Sequence, residues 1–142
     1  MNSTPKSALS EFSRRAIQRL QAKKIPKKQI LHIPSLEADI TIRSLSYEEI
    51  VECTNIDDSA DKNRSDKYCI YLSVVSPDLK QAAREIMEAE SGLPADQRSL
   101  LEPLDIVDLF DMGEVTEIAM KVMELSGVLN NRKVTVVEQL KN

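Results

Sequence analysis

"ITIRSLSYEEI", residues 40–50, changes its hydrophobic period in mid-phrase, from alternation to helical spacing. Ile40, Ile42 and Leu45 lie in an extended segment whose apolar side chains share one face. Ser46 to Glu49 then form a helix start: the Ser46 hydroxyl can accept from the Glu49 amide while the Glu49 carboxylate reaches back to the Ser46 amide. Ile50, Val51 and Cys53 continue that helix, and Thr54-Asn55 mark its end. A strand therefore delivers the chain directly into a capped helix.

Working outward, "QILHI" just upstream is a second β-branched run, separated from the first by Pro34-Ser35 and Leu36-Glu37. Two short antiparallel strands are the expected outcome, and two strands alone need helices packed on one face. Further upstream, Leu9, Phe12, Ala16 and Leu20 recur at helical spacing, predicting an amphipathic helix over about residues 6–23 that Pro26 stops. Downstream, "NIDDSADKNRSD" is a polar surface loop. "SDKYCIYLSVVSPDLKQAAREIMEAESG" predicts one long helix or two linked ones, broken at Pro77 and capped by Gly92. Its first half is apolar nearly all round, so periodicity alone does not separate a buried helix from a buried strand; helix is the reading taken.

Pro103 suits the first position of a further helix with Leu104, Val107 and Phe110 on its buried side. Val115, Ile118, Ala119, Val122, Met123 and Leu125 form one broad stripe on the last helix, ended by Gly127. The patch Val134 to Val137 is an edge strand, a short helix or a disordered end. The expected fold is α+β, mainly α: a bundle of about five helices with a small antiparallel two-stranded β element near the N-terminal third. Residues 1–142 form one domain, in which residues 1–28 are either a basic arm or part of the core, and residues 128–142 are a tail.

Composition narrows the chemistry. A chain of 142 residues buries about two-thirds of its unfolded surface. With 42% hydrophobic residues, 4% aromatics and no Trp, its core must be aliphatic. Three glycines leave little room for a glycine-rich nucleotide loop, and neither a Walker A, GxGxxG, HExxH nor GxSxG pattern occurs. Cys53 and Cys69 lack zinc-ligand spacing and read as reduced, partly buried thiols. His32, the single histidine, reads as a structural residue on a strand among apolar neighbours. Asp105, Asp108 and Asp111 share a helix face and read as solvated, as do Asp57, Asp58 and Asp61 in their loop. No catalytic, cofactor or metal site is expected. The longest apolar run, "CIYLSVV", is too short to span a bilayer, so a cytosolic protein is expected.

The net charge of −4 conceals an asymmetry. Residues 1–33 carry eight basic groups against Glu11 alone, whereas the remainder carries 11 basic and 22 acidic groups. Such an arm either binds a partner or is held by the acidic body. Arg14, Arg15, Arg19, Lys23, Lys24, Lys27 and Lys28 would suit phosphates, but no aromatic stacking platform accompanies them.

In order, the stretches "ITIRSLSYEEIVEC", "DKYCIYLSVVSPDLK" and "EPLDIVDLFDMGEVTEIAMKVMELSG" resemble the phage tail assembly chaperones of the XkdN-like type, known from Bacillus-type prophages. The likeness covers roughly residues 37–127 and contains no catalytic signature. It implies a non-enzymatic factor that binds the tape measure protein, keeping it soluble while tail tube subunits polymerise around it in the bacterial cytoplasm. The tail tube protein is a further implied contact, absence from the finished virion is expected, and self-association stays open as a separate contact. The surface outside the likeness is the N-terminal helix, so Leu9, Phe12, Arg15, Ala16, Arg19 and Leu20 are the candidate partner-binding residues. The competing class is a prophage regulator that contacts nucleic acid through the same basic arm.

Overall fold

The computed structural model describes residues 8–56, 63–128 and 134–141. Among them are five α-helices: α1 (Glu11–Lys23), α2 (Tyr47–Thr54), α3 (Arg64–Ser73), α4 (Leu79–Ala89) and α5 (Met112–Leu125). Three strands, β1 (Lys28–Ile33), β2 (Ala38–Arg43) and β3 (Val74–Ser76), form an antiparallel sheet in the order β1-β2-β3. The architecture is mainly helical with a small sheet, as the sequence pattern predicts, but the sheet has three strands rather than two.

β1 and β2 pair so that Leu31 faces Ile40 and Ile33 faces Ala38. Because alternate side chains share a face, Leu31, Ile33, Ile40 and Ile42 turn inward while Ile30, His32 and Asp39 turn out. Helix α5 lies against β1 and β2, and α3 packs on α5. The result is one aliphatic core in which Ile42, Ile70, Val107 and Val122 are fully buried.

Helix α2 begins as its sequence demands. The Ser46 hydroxyl accepts from the Glu49 amide at 3.2 Å and Glu49 accepts from the Ser46 amide at 3.0 Å. The long apolar segment differs from expectation. Its helix ends at Ser73, and Val74–Ser76 become the third strand, pairing with β2 before a cis Ser76–Pro77 bond and the start of α4. Two β-branched residues at the helix end, with an open edge of β2 beside them, favour extended backbone. Helix α4 is capped at Glu90, not by Gly92. Gly127, by contrast, has φ +84°, the left-handed geometry that follows a helix end.

The segment opened by Pro103 is a 3₁₀-helix, Pro103–Leu109, rather than an α-helix. With three residues per turn, Leu104, Val107 and Phe110 stack along one edge and are buried. The aspartates at the same spacing are not an idle solvated stripe. Asp105 accepts from the Leu101 and Glu102 amides, and Asp108 pairs with Lys67 at 2.9 Å. The expected helix over about residues 6–23 instead starts after Ser10, whose hydroxyl accepts from the Ser13 amide. Residues 134–141 take neither helix nor strand form, and Val134, Val136, Val137 and Leu140 are exposed. Asp57, Asp58 and Asp61 lie outside the described residues.

Candidate interaction surface

Helix α1 buries none of its residues and makes only marginal contact with the other elements. Its local chemistry is self-sufficient: the Ser10 cap at one end, an exposed Glu11–Arg15 pair at 2.8 Å, and Lys23 at the C-terminal turn, where the helix dipole favours a cation. Of the residues singled out from sequence, Phe12 is 79% and Leu20 62% exposed. Arg15 and Arg19 are also exposed, while Leu9 and Ala16 are half-buried. Phe12, Ala16, Arg19 and Lys23 follow one another at spacings of four, three and four, so they share one face.

That face leads into a cleft. After α1 the chain turns through Ile25 and is clamped to the sheet: the Lys27 amide donates to Ser44 Oγ at 2.8 Å and the Ser44 amide donates to the Lys27 carbonyl at 2.8 Å. The Leu45 amide next donates to Ser126 Oγ at 2.8 Å, tying the β2–α2 junction to the end of α5. Between α1 and this junction lies an open cleft of about 540 Å³. Arg19, Lys23 and Lys27 line one side, and Leu45, Tyr47, Ile50, Leu125 and Val128 line the other. Sequence reasoning missed Ile25 and Tyr47 as surface candidates, and named Lys27 only within the basic cluster suited to phosphates. An isoleucine between Lys-Lys and Pro, and a tyrosine at the first turn of a capped helix, were the available signals.

Elsewhere the reactive side chains are occupied structurally. Cys53 and Cys69 are both free and fully buried, more deeply than expected, with their thiols against one another. The adjoining Cys53 thiol and then burial push Cys69 above the usual thiol range. His32 is on β1 as expected but on the outer, exposed face, 2.8 Å from Asp39 directly across the strand pair. Among the described residues, no group of three or more His, Cys, Asp or Glu side chains is placed to hold a metal ion. No described helix is long and apolar enough to cross a membrane.

Helix α1 and its cleft are thus a part of the described molecule where charge and exposed apolar surface coincide. Comparison with family models, curated proteins and solved structures yields no match to this chain.

Proposed function

We propose that this protein is a non-enzymatic tail assembly chaperone that holds a phage tape measure protein soluble while the tail tube forms. The observation that carries the reading is α1, an amphipathic basic helix that buries nothing on a compact acidic body. A helix with an apolar stripe ordinarily covers it in its own core. One that does not is suited to take up a helix from another protein. The order of the three sequence stretches within residues 37–127 supplies the identity of that partner by resemblance. On this reading the protein acts in the host cytoplasm, needs no cofactor and leaves before the virion is complete.

The test is co-expression with the product of the gene immediately downstream. That product should be a tape measure protein whose soluble fraction rises several-fold, with more than one copy of the chaperone per chain on mass measurement. Many copies at modest affinity suit reversible cover of a long rod, since apolar burial at about 25 cal/mol per Å² is offset by ordering of the partner. Unchanged solubility would defeat the reading. Tight retention of DNA or RNA instead would favour a regulator acting through Arg14, Arg15 and Lys24.

A further inference from the structure

The cleft beside α1 is one-sided in charge. Its lining holds Arg19, Lys23 and Lys27 but no aspartate or glutamate, on a chain whose net charge is −4. None of these three cations has an ion-pair partner among the described residues, whereas Arg15, Arg43, Arg64, Lys67 and Lys121 each do. The remainder of the lining is a mainly aliphatic wall, with Ile25 at 73% and Tyr47 at 78% exposure. Unpaired cations beside uncovered apolar side chains specify an occupant by complementarity: carboxylates interleaved with apolar groups.

We infer that this cleft receives an acidic, apolar-patterned segment of the partner protein, its carboxylates on Arg19, Lys23 and Lys27 and its apolar side chains on Ile25, Tyr47 and Val128. The inference rests on the proposed function for the partner's being a protein, and adds the chemistry of the segment and the place where it docks. A nucleic acid matches the cations but not the wall, which offers one aromatic ring where stacking needs a series. The chain's own residues 134–141 match the wall but not the cations, since Glu138 is offset by Lys141. A second copy presents carboxylates beside exposed apolar groups in Glu48, Val51 and Glu52 of α2 and in Glu117 and Met120 of α5, so self-association is the competing occupant that the test must separate.

The test uses the full chain and labelled amphipathic peptides of about five helical turns. One peptide carries leucines on one face and glutamates on the other; its counterpart replaces every glutamate by lysine. Fluorescence anisotropy should show the acidic peptide binding at least tenfold more tightly than the basic one. Joint reversal by Arg19→Glu, Lys23→Glu and Lys27→Glu should weaken it about tenfold, Tyr47→Ala about fivefold, and Lys24→Glu, outside the cleft, less than twofold. Should the triple reversal unwind α1 by circular dichroism, Lys27→Glu alone, which lies outside the helix, should still weaken binding about threefold.

Equal binding of the two peptides, or acidic binding that ignores these substitutions, would overturn the inference. So would a duplex DNA probe that depends on the same three cations and outcompetes the peptide. Self-association by light scattering that the same reversals abolish would assign the cleft to a second copy and overturn it equally. If co-expression fails while the acidic peptide still requires the cleft, the tail-assembly reading falls and the cleft stands. If co-expression succeeds equally with the cleft variants, the chaperone stands and the cleft falls.

Discussion

Glu49 accepts from both terminal nitrogens of the Arg43 guanidinium, at 2.9 and 2.6 Å, and from the Ser46 amide, so one carboxylate joins the end of β2 to the start of α2. The guanidinium bonds, reinforced by the amide, hold its pKa at about 2 against an ordinary 4.5. Because the folded value is the lower one, the stabilisation is complete above about pH 4.5 and is lost as pH falls towards 2. Urea denaturation across that window should show stability declining with acid, and Glu49→Gln should flatten the decline. At neutral pH, Ser46→Ala should cost about 1 kcal/mol and Glu49→Ala about 2–3 kcal/mol, since the second leaves Arg43 half-buried without its partner. Full stability with lost partner binding in Ser46→Ala would show that the serine is there for recognition instead. This junction was legible in "SLSYEE" because both capping partners are three residues apart. The contribution of Arg43 was not, since its bond depends on where the strand ends relative to the helix.

Strand elements separate what local pattern carries from what it does not. β1 and β2 follow from alternation, and the inward set of Ile40 and Ile42 is readable directly. Ile42→Ala, at a fully buried position of the central strand, should cost about 2–5 kcal/mol, whereas Ile30→Ala, on the outer face and 70% exposed, should stay within about 0.5 kcal/mol. Thermal melts of the two variants would check both sheet register and facing; equal losses would mean the register is wrong. β3 was hidden because three residues are too few to display a period, and their partner strand is distant in sequence. The 3₁₀ character of Pro103–Leu109 was also missed, although Leu104, Val107 and Phe110 at strict intervals of three are the trace it leaves. The candidate surface was readable in α1, a continuous helical stripe. Its other wall draws on residues 44–50 and 125–128, which only the fold brings together.

A compact acidic body carries a basic helix on one clamped turn. Removing residues 1–24 should therefore lower the helical signal while shifting the melting midpoint by about 2 °C or less, because no buried side chain is lost from the core. The same truncation should weaken the rescue of a co-expressed tape measure protein. Collapse of the body on truncation would mean that α1 supports the fold. Rescue that survives truncation undiminished would move the docking function elsewhere on the body.

Thirteen helical residues with only marginal tertiary contact are held mainly by their cap, their dipole and one side-chain pair. Isolated helices of about that length are marginal in water. Helix α1 thus opens far more often than α5, and time, rather than affinity, distinguishes them. Its amides should exchange with deuterium within the first seconds, while those around Ile118 and Val122 persist until the body unfolds. Trypsin should find Arg14, Arg15, Arg19, Lys23 and Lys24 first, leaving a resistant fragment that begins near Ile25. A bound partner would close those sites, so the rate of clipping in a cell extract measures the fraction of the protein engaged at that moment.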